Sequence, residues 1–528
     1  MRATRRTWVL LIMLLLALTL YAGTAWAGGA AVDVTLSAEL QDSSGPIPVI
    51  IFAEGCAAQV AAALPAGSDA TTLPLIDAVA ATLTADQILA AADLPGVEEI
   101  QADDDVVGVG WVDTLSFTNS AIGLAAVVPP WENGPAGAGV TVAILDSGIA
   151  DHQDLLDQNG RLRLLAFKDF TRNGRKRAYD DAGHGTFVAG LIAGDGSASL
   201  PPDQGGEAVR QYRGVAPQAD IVSLKVLDKF GEGRESDVVR AIAWAVLNKD
   251  RYNIRVLNLS LAGDVAGPTE TDPMARAVEA AWKSGIVVVT AAGNEGAFGP
   301  GGILSPGNDP YVITVGASDT HQTATTSDDT VCTYSSIGPT MFDEVAKPDV
   351  VAPGNKNISL RVPSSYIDRT WPANQVAVSS YILTAPRWAE PQYFTLSGTS
   401  TSTPVVSGIV AVMLSADPSL SPDDVKLRLM ATARTFAGVD PMQEGAGAVD
   451  VAAALAATGL HANGYTLSAR MGSGTSVLPA DTYDRWNEYK WTKYRWTKYR
   501  WTKYRWTKYR WTKYRWTKYR WTTLIDGE

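Results

Sequence analysis

The chain has 528 residues, of which 46% are hydrophobic and 19% are charged. This length predicts two to four domains, and the composition excludes a disordered chain because it is ample for a large buried core. Residues 485–528 contain fourteen Lys and Arg against three acidic residues, a net charge of +11. Because the whole chain has a net charge of −12, residues 1–484 have a net charge of −23. An acidic body therefore precedes a basic tail.

The N-terminal segment has the pattern of a secretory signal. Arg2, Arg5 and Arg6 precede an apolar run over residues 8–20, and Ala-Trp-Ala at 25–27 fits a small-x-small cleavage site. We therefore predict that residues 1–27 are a signal peptide and that the protein is secreted. An uncleaved membrane anchor is the alternative. No later stretch is long and apolar enough to predict a transmembrane helix in the mature chain.

A small α+β unit is predicted over residues 28–110. Residues 48–53 (PVIIFA) are typical of a buried strand, residues 84–92 of a helix and residues 97–102 of another strand. The connection that follows ends in the Gly/Pro-rich run PPWENGPAGAG, which predicts a loop.

From residue 140 the pattern changes to apolar strands that alternate with helical segments. The predicted strands are VTVAIL, DIVSLKVL, RVLNLSL, GIVVVTAAG and YVITVGA. Helices are predicted between them at 185–193, 236–248 and 273–284. Near-continuous apolar strands that alternate with helices predict an α/β fold, a doubly wound and mostly parallel sheet flanked by helices. We assign this unit to residues 111–460 and a linker to 461–484.

Three short segments carry candidate catalytic residues beside glycines: AILDSGI around Asp146, GHGTFVAG around His184 and SGTSTSTP around Ser400. An alcohol is a poor nucleophile at neutral pH, so it needs a base, and the base needs a carboxylate to orient it. Asp146 follows a predicted strand, where open α/β sheets place their sites. Singly, a helix cap or a structural histidine explains each residue. Together they predict an acid–base–nucleophile set.

With these segments the chain resembles the subtilisin-like serine peptidases, the subtilase family. Further blocks match the family in order: GVAPQADIVSLKVLD, VLNLSLAG, VVVTAAGNEG, YVITVGA and KPDVVAPG. The resemblance covers residues 120–460. It implies a subtilisin-like fold in which Asp146 orients the imidazole, His184 is the general base and then acid, and Ser400 attacks the peptide carbonyl.

The resemblance also implies the residues around the catalytic set. Asn294 matches the family's oxyanion-hole amide, assisted by the Ser400 N–H. Substrate backbone is expected to pair with Ser260, Leu261, Ala262 and Gly263 and to lie beside Ala292 and Gly293. The chemistry needs no cofactor, but calcium is common in the family, and Asp154 matches a family calcium ligand. A single carboxylate is not a calcium site, so a solvated acid is the alternative.

Two stretches differ from the family pattern. Thr401-Ser402 follows the serine where the family usually has Met-Ala, which changes the packing behind the nucleophile. Residues 354–392 resemble an insertion that either rims the cleft or decorates the surface.

The first unit resembles the family's inhibitor-like propeptide. A folded unit that places its own C terminus at Ser400 would act as a folding template and as an intramolecular inhibitor. We predict self-cleavage between Asp105 and Asn119. The alternative is a permanent domain that keeps the enzyme latent.

The tail at 485–528 contains WTKYR six times from Trp491 to Arg520, after the degenerate copy WNEYK. A five-residue period fits neither a helix nor a strand, so no single apolar face forms. The cationic and aromatic composition favours an anionic cell-surface polymer as partner, and nucleic acid is the weakest candidate because the chain is predicted to be exported. The alternatives are a repeat without a role and a tail that folds back on the acidic body.

These observations predict a secreted serine endopeptidase that hydrolyses polypeptide substrates through an acyl-enzyme and is made as a self-processing zymogen. The alternatives are a non-catalytic secreted protein that binds surfaces through its tail, and an esterase with the same catalytic set.

Overall fold

The structure, a computed structural model, describes residues 31–32, 45–102, 136–468, 520–521 and 523–524, with gaps at 54, 74–77, 158, 172–174, 200–209, 266, 324, 384 and 386–387. The chain divides into two compact units, residues 1–109 and 110–528. The predicted signal peptide, the predicted self-cleavage region and most of the repeat tail lie outside the described residues.

The described residues of the first unit form a five-stranded sheet with two helices, an α+β arrangement. Its elements are β1 Ala31–Val32, β2 Ile47–Phe52, α1 Ala57–Ala63, β3 Thr71–Leu73, β4 Ala78–Leu83, α2 Ala85–Ala92 and β5 Glu99–Ala102. The spatial order of the strands is β1-β5-β2-β4-β3. A capping box between Thr84 and Gln87 starts α2. The predicted strands and helix are present to within two residues of their predicted ends.

The second unit is built on an eight-stranded sheet. The strands of this unit are β6 Thr141–Asp146, β7 Leu164–Asp169, β8 Asp220–Lys225, β9 Ile254–Leu259, β10 Leu261–Ala262, β11 Val287–Ala291, β12 Ile313–Asp319, β13 Thr330–Val331, β14 Val350–Pro353, β15 Asn357–Leu360, β16 Tyr393–Gly398, β17 Arg520–Trp521 and β18 Thr523–Leu524. The large sheet runs β7-β8-β6-β9-β11-β12, and β13 and β14 both pair with β12. All its pairings are parallel except that of β13.

Helices flank this sheet and cover its apolar strands. They are α3 His184–Ala193, α4 Glu235–Tyr252, α5 Pro273–Lys283, α6 Tyr366–Thr370, α7 Thr399–Ala416, α8 Pro422–Ala431, α9 Pro441–Glu444 and α10 Val451–Ala456. Helix α3 packs on α7, α4 packs on α5, and α7 contacts β9, β11 and β12. The predicted α/β fold with a mostly parallel sheet is therefore confirmed.

The sheet reverses its strand order at β6. From this buried strand the chain moves to β7 and β8 on one side and to β9 and β11 on the other. Such a reversal opens a crevice at the carboxyl ends of the strands, because the following loops turn to opposite sides. Asp146 is the last residue of β6 and so lies at this crevice.

Helix α7 is the one helix of the described residues that is long and apolar enough to cross a membrane, and 89% of its length is buried inside the fold. Its apolar residues pack in the main core with the sheet. Its apolarity is thus explained by its position as a core helix.

The second unit extends beyond its predicted end. Residues 461–468, which we predicted as the start of a linker, bind back to α8. Backbone N–H groups of Ala462 and Thr466 donate to the carboxylates of Asp424 and Asp423 at 2.8 and 2.6 Å. The predicted boundary at residue 460 is therefore too early, because backbone N–H groups of this loop bind the carboxylates of α8.

Candidate active site

Three side chains from separate parts of the sequence meet at the crevice. His184 Nδ1 lies 2.8 Å from Oδ1 and 3.0 Å from Oδ2 of Asp146. His184 Nε2 lies 3.3 Å from Ser400 Oγ. Since a carboxylate only accepts hydrogen bonds, Nδ1 donates to Asp146, and the lone pair of Nε2 faces the hydroxyl. All three side chains are buried. This arrangement can draw the proton from an alcohol.

Backbone contacts set the distance between Asp146 and His184. The N–H of Ser147 donates to Asp146 Oδ1 at 2.7 Å and fixes the carboxylate. The turn after β6 touches the start of α3 so closely that a Cβ on Gly185 would lie 2.2 Å from the carbonyl oxygen of Gly148. Glycine is required at this contact because any side chain would separate the two loops.

Asn294 lies in the loop after β11 and is held by Thr399, the first residue of α7. Its Oδ1 accepts from the Thr399 N–H at 3.0 Å and from the Thr399 hydroxyl at 3.1 Å. The hydroxyl oxygen accepts in turn from the Gly293 N–H at 3.2 Å. Because the amide oxygen faces Thr399, the NH₂ end of Asn294 is directed away from it. Ser400 follows Thr399, so a side-chain amide and a helix N-terminus converge at the nucleophile.

The model of the subtilase family, Peptidase S8, matches residues 137–464. The chain belongs to the subtilase family. Serine protease AprX of Bacillus subtilis (strain 168) is 42% identical over 319 residues, which are 60% of this chain and 65% of AprX. Subtilisin DY of Bacillus licheniformis is 33% identical over 323 residues, 61% of this chain and 92% of that protein. Subtilisin E of Bacillus subtilis (strain 168) is 30% identical over 381 residues, 72% and 81% of the two chains.

Membership confirms the prediction of a subtilisin-like serine peptidase, and subtilases are serine endopeptidases. The chain spans 65% of the length of AprX. Asp146, His184 and Ser400 all lie within residues 137–464, the range that the family model matches.

The residues predicted to bind substrate lie in two segments, one at β10 and one directly after β11. Leu261 and Ala262 form β10, and Gly263 exchanges backbone hydrogen bonds of 2.8 and 3.0 Å with Ser305. Ser260 is buried, and its hydroxyl accepts from Asn258 at 3.0 Å, so its side chain supports the strand.

Ala292 and Gly293 follow β11 and lead to Asn294. The Ala292 carbonyl accepts from the Leu304 N–H at 3.0 Å. Gly293 has a φ of 106°, and a Cβ there would lie 2.8 Å from the Ser336 hydroxyl oxygen. This position therefore requires glycine.

The surroundings of Asp154 do not fit a calcium ion. Its carboxylate accepts from the Ala198 N–H at 2.6 Å and from the Tyr393 hydroxyl at 2.8 Å, whereas calcium needs six to eight oxygen ligands. Burial raises the pKa of Asp154 to about 7. Within the described residues, no group of three or more His, Cys, Asp and Glu side chains is arranged to hold a metal. Structural calcium stays a prediction.

Asp180 is a residue that motif reasoning missed. Its Oδ1 accepts from the Ser147 hydroxyl and the Gly183 N–H, both at 2.8 Å. Its Oδ2 accepts from the N–H and hydroxyl of Thr186 at 2.8 and 2.7 Å. One buried carboxylate thus ties the loop after β6 to the turn that carries His184. The sequence signal that could have identified Asp180 is its position four residues before His184.

The polar residue after Ser400 is accommodated by hydrogen bonds. The Thr401 hydroxyl lies 2.9 Å from the Gly398 carbonyl and 3.0 Å from the Gly354 carbonyl, and it accepts from Asn357 Nδ2 at 3.2 Å. Ser402 is also buried, but its hydroxyl has no hydrogen-bond partner. The change from the family pattern therefore leaves a satisfied hydroxyl directly behind the nucleophile.

The stretch predicted as an insertion lies against the turn before His184. Backbone N–H groups of Tyr366 and Ile367 donate to the carbonyls of Asp181 and Ala182 at 2.9 and 3.1 Å. The Tyr366 ring also packs edge-on against Phe230, with ring centroids 5.3 Å apart. This contact favours a role beside the site over surface decoration.

Proposed function

We propose that this subtilase is a secreted endopeptidase that cleaves polypeptides through an acyl-enzyme on Ser400. The observation that carries the proposal is the continuous Asp146–His184–Ser400 contact, with a heavy-atom distance of 3.3 Å at the nucleophile. His184 Nε2 takes the hydroxyl proton as Oγ attacks the peptide carbonyl. It then gives that proton to the leaving amine, and water releases the acyl group by the reverse sequence.

The oxyanion formed in each step needs donors that are already in place. The NH₂ group of Asn294 and the N–H of Ser400 are the donors we assign to it, because Thr399 already binds the amide oxygen and leaves the NH₂ group to donate. The positive end of the α7 dipole adds to this stabilisation. The role of Asp146 is to hold the tautomer and to stabilise the imidazolium.

A serine-directed fluorophosphonate tests the assignment. We expect the secreted protein to hydrolyse casein and to carry the label on Ser400, and we expect Ser400→Ala to lose both. Ser402→Ala is the matched control, because it removes a buried hydroxyl without a partner two residues along the same helix. It should keep the label and the activity. Label on another serine, or casein hydrolysis that survives Ser400→Ala, would show that the assignment is wrong.

We also propose that the chain is a zymogen whose first unit is an inhibitory propeptide. The small α+β fold of residues 31–102 supports this proposal. N-terminal sequencing of the secreted wild-type protein should begin between Asp105 and Asn119, whereas Ser400→Ala expressed alone should retain the first unit. Normal maturation of Ser400→Ala would contradict self-processing.

Attachment to an anionic cell-surface polymer remains our proposal for the cationic repeats. The net charge of +11 over residues 485–528 supports it. We expect the enzyme to be retained on cell debris and to be released by salt. Deletion of these residues should abolish the retention. If the full-length and the truncated protein were retained equally, whatever the salt concentration, the proposal would be wrong.

The alternative of a non-catalytic surface-binding protein is not favoured. The chain belongs to a family of serine endopeptidases.

A further inference from the structure

The end of the chain adds a strand to the predicted substrate-binding strand. Strand β17 pairs antiparallel with β10, with Trp521 opposite Leu261 and Arg520 opposite Ala262. Main-chain pairing of this kind is how an extended peptide binds to an exposed strand edge. The C-terminal segment therefore takes the position that the backbone of a substrate would need on this side of the site.

The next two described residues pair with β16, the strand that leads to Ser400. Strand β18 is antiparallel to β16, with Thr523 opposite Gly398 and Leu524 opposite Ser397. Gly398 lies two residues before Ser400, and β18 also contacts α7, the helix that carries Ser400. This second pairing brings the segment directly beside the nucleophile.

Taken together, the two pairings place one segment against β10 and beside the strand that leads to the nucleophile. Only one residue of sequence separates Trp521 from Thr523, so β17 and β18 are consecutive parts of one short segment. It enters along β10 and leaves along β16. A polypeptide substrate that pairs with β10 and is cut at Ser400 needs the same strand edge and the space beside the nucleophile, so the segment and such a substrate exclude each other.

Charge favours this intramolecular contact. The tail carries +11, and residues 111–484, which contain the site, have 27 Lys and Arg against 40 Asp and Glu, a net charge of −13, so the end of the chain is attracted to this unit. Backbone pairing also accepts many sequences, because the main chain supplies the hydrogen bonds. The occupant is thus a segment of this same chain.

We propose that residues 520–524 are an intramolecular competitive inhibitor of the peptide-binding cleft. The proposal rests on the proposed function, because inhibition presupposes that Ser400 acts on peptides bound along β10. Covalent attachment gives the segment an effective concentration of the order of millimolar. A segment that binds with a Kd of about 0.1 mM would then raise the apparent KM about tenfold and leave kcat unchanged.

The repeats offer a matched pair of variants. Arg520→Pro with Trp521→Pro removes both backbone donors of β17, so the ladder is broken whichever of the two residues forms the hydrogen-bonded pair. Arg515→Pro with Trp516→Pro makes the identical change one repeat earlier, outside the described pairing. Tail length, composition and charge are the same in both variants.

The full-length secreted proteins are compared on a short chromogenic peptide, with active sites counted by fluorophosphonate and the intact C terminus verified by mass spectrometry. We expect the KM of the 520/521 variant to fall about tenfold and that of the 515/516 variant to equal the wild-type value. An equal KM in all three proteins would overturn the proposal. A fall in both variants would also overturn it, because the effect would not depend on β17.

A synthetic peptide of residues 518–528 gives an independent result that does not require an intact tail. It should inhibit a chain that ends at residue 517 competitively, and the peptide with both proline substitutions should not. Absence of inhibition would overturn the proposal even if KM shifts were seen. If no variant hydrolyses peptides or labels Ser400, the proposed function fails. If all of them do so with one KM, the function stands and only the inhibition fails.

Discussion

The Thr399 hydroxyl donates to Oδ1 of Asn294 at 3.1 Å, and the backbone N–H of Thr399 donates to the same oxygen at 3.0 Å. The residue directly before the nucleophile therefore orients the amide proposed to stabilise the oxyanion. The same hydroxyl accepts from the Gly293 N–H, so it couples the loop after β11 to the start of α7. Movement of either element would misplace the amide relative to Ser400.

Thr399→Val should lower kcat/KM by about tenfold to a hundredfold, mainly through kcat. Loss of an oxyanion donor altogether costs about 10²–10³ in kcat, and here the amide remains but loses one of two fixed contacts. Steady-state kinetics on a short peptide measure the change. Thr399→Ser keeps the hydroxyl and should stay within about threefold of wild type. Equal rates for the Val and Ser variants would show that this hydroxyl does not position Asn294.

Asp180→Asn should lower kcat about tenfold and reduce the melting temperature. The substitution turns one acceptor into a donor that faces the N–H and O–H groups now bound by Asp180, so the turn before His184 shifts. KM should change little, because β10 and Asn294 do not contact Asp180.

Counting the labelled active sites of Asp180→Asn gives kcat per folded site, so a loss of rate can be distinguished from a loss of folded protein. Asp151→Asn, which changes an exposed carboxylate 3.9 Å from Arg177, should alter neither kcat nor melting temperature. A lower melting temperature with an unchanged kcat per labelled site would make Asp180 a purely structural residue.

Asp154→Asn should change how stability depends on pH. The pKa of Asp154 is about 7 in the folded protein, raised by burial, and 3.8 in the unfolded chain. Between these values the folded state holds a proton that the unfolded state has released, so wild-type stability falls as pH rises from about 4 to 7. The asparagine variant lacks this loss, so its free energy of unfolding relative to wild type should increase with pH, by up to about 4 kcal/mol.

Urea unfolding at several pH values, in a Ser400→Ala background that prevents autolysis, measures this difference for Asp154. A difference that is constant from pH 4 to 8 would contradict it. Unfolding in the presence of added Ca²⁺ tests the other role considered for Asp154, that of a calcium ligand. If added Ca²⁺ stabilises wild type but not Asp154→Asn, the carboxylate is a calcium ligand after all.

Asp349→Asn should cost about 3–5 kcal/mol of stability. The Asp349 carboxylate lies 2.7 Å from the Lys347 ammonium and 3.4 Å from that of Lys426, and all three side chains are fully buried. Removal of the carboxylate charge takes away the anion that contacts both buried lysines, Lys347 and Lys426. Glu279→Gln, which alters the partly exposed pair with Lys283, should cost less than about 0.5 kcal/mol in the same urea titration. If the two substitutions lowered the free energy of unfolding by similar amounts, the buried pair would not matter more than the exposed one, and the prediction would be wrong.

Much of the fold could be predicted because its signals are local. The strand VTVAIL and the segment around Asp146 lie within seven residues of sequence, and apolar runs separated by helical segments specify a parallel sheet. The end of the second unit was placed too early, at residue 460. Residues 461–468 look like a polar loop, and only the carboxylates of Asp423 and Asp424 explain why they pack on the domain.

The candidate site shows the same division. Asp146, His184, Ser400 and Asn294 could be named because each lies in a distinctive motif. The bond from Ser147 to Asp180 and the donors around Asp154 could not, because these partners come from other loops.

The sequence by itself determined the chemical groups of this subtilase and the loops that carry them, since motif residues and apolar periodicity are properties of short windows. Only the tertiary structure decided that Thr399 holds Asn294, that Asp154 is surrounded by hydrogen-bond donors, and that β17 and β18 lie along β10 and β16. These contacts join residues that are far apart in the chain. Their geometry follows from how the sheet brings its loops together, and no local pattern encodes that distance.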